Sequence, residues 1–228
     1  MTGLSGISQE VASEMAVSAA GLHRMMRERR SVRRYRADSV GRDVLDRLFL
    51  SAAMAPSGHN RQPWRYLVIE DSAAKQALAR TMGERLAAER LSDGDAADVI
   101  ARDVARSHAR ITGAPVVILV CLTLEEADTY PDVARGQAEF LMAVQGTAMA
   151  TQNLLLGAHA EGLAACWMCA PLFCADVVRA TLDVPAHWQP QGLITLGFAA
   201  DRGRDRPRKP LQAFVRYVNE PESNEHLP

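Results

Sequence analysis

A run of apolar residues, PVVILVCL at positions 115–122, constrains the fold of this 228-residue chain more than any other feature. The run is uniformly apolar, rich in β-branched residues and short, which predicts a strand buried on both faces. Further strands are predicted at RYLVIE, LAACWMCA and GLITLGFAA, with helical segments between them. Helices mixed with about four or five strands predict an α+β or α/β layered domain.

The longest regular segment, from Ala134 to His159, predicts a helix whose apolar residues spread around more than one face. Such a helix must be buried on more than one side, either at the centre of a large core or against a second subunit. Two other helices have candidate N-caps at Ser39 and Ser72. The segment RRSVRRY, residues 29–35, alternates in a strand-like manner.

Composition favours an ordinary globular protein, with 48% hydrophobic and 23% charged residues, and we expect one domain. A net charge of −1 does not indicate binding to nucleic acid or to an acidic membrane. The chain shows neither a signal-peptide pattern nor an apolar run long enough to span a bilayer, and its four cysteines fit a reducing compartment better than a disulfide framework. We therefore expect a cytoplasmic protein.

Two basic clusters stand out, one at residues 24–36 and one in DRGRDRPRKPL near the C-terminus. The first could simply be a solvated helix end. However, like charges held together are costly unless an anion joins them, and the guanidinium fork suits a phosphate. The sequence therefore suggests that both clusters bind a single phosphate.

The loop APSGHNRQPW, residues 55–64, has more hydrogen-bonding side chains than a bare turn requires. The excess comes from five consecutive or nearly consecutive residues: Ser57, His59, Asn60, Arg61 and Gln62. This excess suggests that the loop contacts a ligand.

The motif CWMC, residues 166–169, raises the possibilities of a redox pair or, with Cys174 and His187, a zinc site. Core packing is the favoured interpretation, because the pair lies in an apolar strand-like segment and no second Cys-x-x-Cys follows. The sequence contains none of the Gly-x-Ser-x-Gly, Walker or Gly-x-Gly-x-x-Gly motifs, and no side chain stands out as a catalytic acid or base. We therefore expect no metal site, and a bound cofactor becomes the expected source of chemistry.

The motifs RRSVRRY, APSGHNRQPWRYLVIE, NLLLGAHAEGLAACW and GLITLGFAADRGRDRPRKPL, in this order, resemble the flavin-dependent nitroreductase family over roughly residues 22–218. The resemblance implies an α+β fold with a central mixed sheet flanked by helices. It also implies an intertwined homodimer with one FMN in each of two sites at the interface, a small-molecule acceptor, and NADH or NADPH as electron donor. Residues 1–228 would form one FMN-binding domain, with an N-terminal helical extension at 1–21 and a flexible tail at 219–228.

Site residues follow from the same resemblance, position by position. The FMN phosphate and ribityl chain would be held by Arg29, Arg30, Ser31 and Arg33, and by a C-terminal clamp of Arg206, Arg208 and Lys209. The loop that reaches the flavin of the partner subunit would contribute Pro56, Ser57, Gly58, Asn60 and Gln62. The segment lying against the isoalloxazine would be Trp167, Met168, Cys169 and Ala170. A backbone N–H near Cys169 would approach the reactive N5.

Within the family, the stretch LFCADVVRATLDVPAHWQPQG, residues 172–192, is most similar to the nitroreductase-like C-terminal domain of the bifunctional enzyme that matures the deazaflavin coenzyme F-420. This implies a planar conjugated acceptor with an anionic tail, steered by Arg61, Arg202 and Arg204. The corrin-ligand synthase branch shares the Arg-Arg-Ser and Pro-Ser elements but matches that stretch less well. The remaining alternatives are a broad-specificity NAD(P)H-dependent reductase of nitroaromatics or quinones, and a flavin-binding protein without turnover.

Overall fold

The computed structural model describes residues 18–218, so the predictions made for residues 1–17 and 219–228 lie outside it. Its centre is a four-stranded sheet in the order β1-β2-β4-β3, in which every strand pair is antiparallel. The strands are β1 (Trp64–Ile69), β2 (Val116–Leu122), β3 (Ala164–Met168) and β4 (Gln189–Gly197). An isolated parallel bridge joins Ser31 to Ala165, outside these antiparallel strand pairs.

Strand β2 confirms the expectation drawn from its apolar sequence, because all seven of its residues are buried. It lies between β1 and β4, so its backbone is hydrogen-bonded on both edges. Side chains of alternate residues point to opposite faces of a sheet, and both faces of β2 are covered by helices. Hence both sets of β2 side chains must be apolar.

Six α-helices surround the sheet in the described part of the chain, and they form two layers. In chain order they are α1 (Ala19–Glu28), α2 (Arg42–Ala53), α3 (Ser72–Ser92), α4 (Ala97–Thr112), α5 (Val133–Ala160) and α6 (Ala175–Leu182). Helices α2 and α5 pack on one face of the sheet, and α3, α6 and the end of α4 pack on the other. The predicted central sheet flanked by helices is confirmed.

Helix α5 matches its predicted range within one residue at each end. The Asp132 carboxylate caps it by accepting the Arg135 N–H at 2.9 Å. One side of α5, including Leu154 and Ala158, is buried in the core. On the rest of its surface, Phe140, Leu141 and Met149 are exposed in the single chain.

Two predicted helix caps are wrong. Helix α2 begins after Gly41 rather than Ser39, and α3 is capped by Asp71 rather than Ser72. The Asp71 carboxylate accepts the Ala74 N–H at 2.7 Å, which leaves Ser72 as the first helical residue. In α3 the residue whose side chain reaches the third free N–H decides the helix start, whereas α2 begins after Gly41 without any side-chain cap.

The RRSVRRY segment forms no regular strand, contrary to its alternating pattern. It makes only two isolated bridges, from Ser31 to Ala165 and from Tyr35 to Ala199. The Val32 N–H donates to the carbonyl of Ala165 at 3.2 Å. The segment thus passes from the edge strand β3 to the end of β4, instead of following one neighbour for long enough to build a ladder. Within residues 18–218, no helix is both long enough and apolar enough to cross a membrane.

Candidate functional site

The basic segment, Arg29–Arg36, is fixed to the sheet through its backbone and one tyrosine. The Arg36 N–H donates to the carbonyl of Phe198 at 2.9 Å. The Tyr35 hydroxyl lies 2.6 Å from the carbonyl oxygen of Val32 and 2.8 Å from both the carbonyl oxygen and Oγ1 of Thr195. Burial raises the pKa of Tyr35, so the hydroxyl stays protonated and can donate. These contacts set the direction of the neighbouring arginine side chains.

The second basic cluster is brought against the first by a turn at Gly203. This glycine has φ of 68°, and a Cβ there would lie 3.3 Å from Arg30 Cβ and from a methyl group of Val32. Two residues later, Asp205 forms an ion pair with Arg30 at 2.8 Å. A left-handed backbone conformation and a close approach both favour glycine. Gly203 therefore lets the C-terminal segment run back along the basic segment.

The charge of Arg29 is affected by both clusters. Burial lowers the pKa of the Arg29 guanidinium, and the nearby positive charges of Arg208 and Arg30 lower it further. Within residues 18–218, neither Arg29 nor Arg208 has an ion-pair partner, whereas Arg30 pairs with Asp205. Guanidinium groups brought together without a carboxylate are suited to a doubly charged anion such as a phosphate.

Arg33 lies at the other end of this basic cluster, beside an arginine that the sequence did not single out. Arg33 donates to the carbonyl of Ser31 at 3.2 Å. Burial lowers the pKa of Arg110, in the last turn of α4, and the charges of Arg33 and Arg106 add to the effect. Burial raises the pKa of the Cys166 thiol behind them, with Arg33 acting in the opposite direction. Because Arg110 is 77 residues away from Arg33 and stands on a polar helix, no local pattern marks it.

An open cavity of about 830 Å³ adjoins the basic segment. Its lining includes Arg29, Arg30 and Val32 on one side and residues of the Gly203 turn on the other. Leu155 and His159, near the end of α5, close a third side. Arg206, Arg208 and Lys209 lie outside this lining and are exposed to solvent.

The Trp167–Ala170 segment spans the end of β3 and the residues after it. The indole ring of Trp167 packs directly against Gly192. A Cβ at Gly192, on the neighbouring strand β4, would lie 2.4 Å from two ring atoms of Trp167. The Trp167 Nε1–H donates to the Cys169 Sγ at 3.0 Å. Met168 is partly buried, Cys169 is exposed, and Ala170 starts a short 3₁₀ turn ending at Phe173. No group of three metal-ligating side chains occurs anywhere in the described residues.

The polar loop, Pro56–Gln62, is compact and packs on α5. The Gln62 N–H donates to Ser57 Oγ at 2.9 Å, and the Asn60 N–H donates to the Ser57 carbonyl at 3.0 Å. A Cβ at Gly146 of α5 would lie 3.2 Å from Ser57 Cβ, and one at Gly58 would lie 3.3 Å from the sulfur of Met142. Small residues on both sides thus allow the loop backbone to approach the helix closely.

The structure brings together some of the predicted site residues and leaves others apart. Arg29, Arg30, Ser31 and Arg33 lie beside β3, close to the C-terminal cluster that contains Arg208. The polar loop instead packs on Met142 and Gly146, thirteen and nine residues before Leu155 of the cavity lining, which is about 14 to 20 Å along the axis of α5.

The predicted steering role of Arg61 is not supported by its surroundings. Arg61 forms ion pairs with Asp128 at 2.7 Å and with Glu139 at 2.5 Å, so its charge is already neutralised within the chain. Arg202 and Arg204 are exposed. Glu139 was missed by the sequence analysis because a lone carboxylate in a long helix is ordinarily a solvated residue.

The sequence of this chain is similar to those of known proteins. Residues 26–198 match the model of the Nitroreductase family. A protein from Thermus thermophilus named NADH dehydrogenase is 30% identical over 212 residues, covering 82% of this chain and 91% of its own length. A 5,6-dimethylbenzimidazole synthase from Rhodospirillum rubrum is 29% identical over 184 residues, covering 78% of this chain and 82% of its own length.

A solved structure agrees with these sequence matches. The FMN-dependent nitroreductase NfnB from Mycobacterium smegmatis, in complex with NADPH, superposes with a TM-score of 0.69 at 25% identity, covering 87% of this chain and 98% of its own. The match of the family profile extends over far more than half of the chain, from the basic segment to the end of β4. The chain is therefore a member of the nitroreductase family.

Proposed function

We propose that this protein is an FMN-dependent oxidoreductase that takes electrons from NADH or NADPH and passes them to a planar conjugated acceptor. The observation that carries the proposal is that Arg29 lines a cavity beside the Gly203 turn, close enough to Arg208 for that charge to lower its pKa, while neither guanidinium has an ion-pair partner in the described residues. A phosphate between them would relieve their mutual repulsion. The FMN-dependent relative and its NADPH complex, and the relative named NADH dehydrogenase, support the choice of cofactor and donor.

Each part of the site has a distinct task in this proposal. Arg29, Ser31 and Arg208 hold the phosphate end, assisted by Arg206 and Lys209. The Trp167–Ala170 segment would support the isoalloxazine ring, and the backbone N–H near Cys169 would donate a hydrogen bond to the flavin. When bound, FMN supplies the hydride-transfer chemistry, while the protein orients the ring and excludes competing reactions.

A homodimer completes the site in our proposal. The polar loop packs about 14 to 20 Å along α5 from the cavity beside Arg29 and does not line that cavity within one chain. Exposed apolar side chains on three elements offer a surface for a second copy: Leu50 and Met54 at the end of α2, Phe140, Leu141 and Met149 on α5, and Leu211, Phe214 and Tyr217 near the C-terminus. Exposed apolar surface of this extent is typical of a subunit interface.

The test of assembly is light scattering on the FMN-loaded protein over a wide dilution range. A dimer that loses FMN as it dissociates is expected, because each site would use residues of both chains. A monomer that retains stoichiometric FMN would contradict the dimeric site.

The test of activity is anaerobic titration of the FMN-loaded protein with NADH and NADPH, followed by an acceptor. We expect the flavin absorbance to bleach and then to recover when a nitroaromatic or a quinone is added. A flavin that remains oxidised with both donors would favour a flavin-binding protein without turnover. Irreversible loss of the flavin after reduction in air would instead favour the chemistry of the corrin-ligand synthase branch.

The finer proposal concerns the acceptor and is supported by the similarity of residues 172–192 to the coenzyme F-420 maturation domain. The acceptor would be a dehydro-deazaflavin intermediate with an anionic tail, and Arg202 and Arg204 are the exposed cations available to attract it. The measurement is kcat/KM for such a compound and for a neutral nitroaromatic, at low and at raised salt. A larger value for the anionic compound that falls with salt is expected. Equal and salt-independent values would favour the broad-specificity reductase.

A further inference from the structure

The polar loop contains an unusual concentration of left-handed backbone. His59, Asn60 and Gln62 have φ of 52°, 55° and 49°, and none of them is glycine. Asparagine and histidine adopt this region more often than most residues, whereas glutamine does so less readily. Such a loop holds its shape only if surrounding contacts favour it over the relaxed alternatives.

Hydrogen bonds inside the loop account for only part of its order. The Ser57 hydroxyl and carbonyl accept from Gln62 and Asn60, and the Gly58 carbonyl accepts the Arg61 N–H at 3.1 Å. All of these bonds join residues within the loop. They can therefore set its internal shape but not its position on the protein.

Besides the packing of Ser57 and Gly58 on α5, Arg61 supplies a polar connection to the rest of the protein. Its Nη1 lies 2.5 Å from Glu139 Oε2, on α5, and its Nη2 lies 2.7 Å from Asp128 Oδ2, in the segment after β2. The Arg61 side chain is 17% exposed and that of Glu139 only 7%. The same Glu139 oxygen also accepts the Asp128 N–H at 3.4 Å. Three separate pieces of the chain thus meet at one guanidinium.

We propose that Arg61, Glu139 and Asp128 form a positioning triad that holds the polar loop in its flavin-binding conformation. Arg61 is the right residue for this task because its planar fork can bond two carboxylates at once, in fixed directions. Partly buried ion pairs contribute little to stability compared with apolar replacements, and their best-attested use is to select one arrangement. The proposal rests on the flavin-binding function proposed above. It assigns to Arg61 a role directed at its own loop rather than at the substrate.

The experiment compares Glu139→Gln with Glu161→Gln. Glu161, at the end of the same helix, also pairs with an arginine, since Arg47 donates to its two oxygens at 2.7 and 2.9 Å. Both substitutions keep the shape of the side chain and remove its charge. Amide hydrogen exchange of residues 57–62 is measured without FMN, and the Kd for FMN is measured by titration of flavin fluorescence.

We expect Glu139→Gln to accelerate exchange of the Asn60, Arg61 and Gln62 amides and to weaken FMN binding about tenfold, the order expected when one charge-assisted hydrogen bond is lost. Glu161→Gln should change neither. Unaltered loop exchange together with an unaltered Kd in Glu139→Gln would overturn the triad. If the wild type bound no FMN, the proposed function would fail, whereas the exchange experiment would still decide the triad.

A second pair of variants separates positioning from stability. Replacing both members of the more buried pair, Arg61→Met with Glu139→Leu, leaves only the exposed Asp128 carboxylate without its partner and should preserve the melting temperature while the loop still exchanges fast. Asp128→Asn, which removes only the more exposed carboxylate, should give a smaller change in the same direction. Slow, wild-type exchange in the double variant would show that packing alone positions the loop, and would contradict the proposal.

Discussion

Two groups of arginines in this chain have opposite surroundings. Arg61 and Arg47 each lie between two carboxylates, whereas Arg29 lies near Arg208 and Arg30. The sequence suggests that both Arg61 and the basic segment are available for a ligand, because both stand among polar or basic residues. The difference teaches that the partners of an arginine, rather than its neighbours in sequence, decide whether its charge is available for a ligand.

The largest expected effect is on FMN binding, and it tests this comparison directly. Arg29→Ala should weaken FMN binding by roughly 1.5 to 3 kcal/mol, the range for a hydrogen bond to a charged group, or about 10- to 150-fold in Kd. Arg47→Ala is the matched control and should leave the Kd nearly unchanged, because the Arg47 charge is already paired. Fluorescence titration with FMN and with riboflavin measures both. A riboflavin Kd that rises as much as the FMN Kd in Arg29→Ala would rule out contact with the phosphate.

The next effect concerns the packing of the Trp167 ring against Gly192 of β4. Gly192→Ala places a methyl group where the Trp167 ring now lies, so the ring must move, and unfolding free energy should fall by about 1 to 3 kcal/mol. Gly136→Ala, in α5 with open space around it, should instead raise it by about 0.5 to 1 kcal/mol. Urea denaturation provides both values, and the tryptophan emission of the folded state reports the ring. An unchanged emission and stability in Gly192→Ala would mean that Trp167 is not seated on that glycine.

A smaller effect tests how the basic segment is anchored. Tyr35→Phe removes the hydroxyl that contacts Val32 and Thr195 and should lower unfolding free energy by about 0.5 to 1.5 kcal/mol. Tyr66→Phe is the control, since the Tyr66 hydroxyl is buried without a hydrogen-bond partner in the described residues. Its removal should leave stability unchanged or slightly higher. Equal losses from the two substitutions would show that the ring environment, and not the hydroxyl contacts, matters at both sites.

The smallest effect is expected at a paired arginine on the surface. Arg80 and Glu84 lie one helical turn apart in α3 at 3.3 Å, and both are well exposed. Arg80→Ala should lower unfolding free energy by no more than about 0.5 kcal/mol and should not change FMN binding. Repeating the measurement at high salt should remove even that difference. A larger loss of unfolding free energy would mean that a paired surface arginine contributes more to stability than we assume here.

The elements that the sequence predicted well are those specified by local periodicity. Strand β2 and helix α5 each carry their burial pattern in consecutive residues, so their ranges could be read within about one residue. The caps of α2 and α3 could not, because several adjacent residues can each accept the free N–H groups. The site residues were predicted from the family resemblance. The tertiary contacts were predicted neither from local periodicity nor from that resemblance. Glu139 meets Arg61 across 78 residues, and Gly192 accommodates Trp167 across 25, with no local pattern to announce either pairing.

The turn at Gly203 has a consequence for how the protein is made. It places Arg208, which follows β4 in the chain, near Arg29, which precedes β1, so the proposed phosphate cradle has one half synthesised before the sheet and one half after it. While the ribosome still holds the residues that follow β4, the first half exists alone, and domains complete their folding only once their sequence has emerged. Cofactor capture should therefore wait until Arg208 has emerged, and a chain whose synthesis stops shortly after β4 should emerge with a complete sheet and half a cradle.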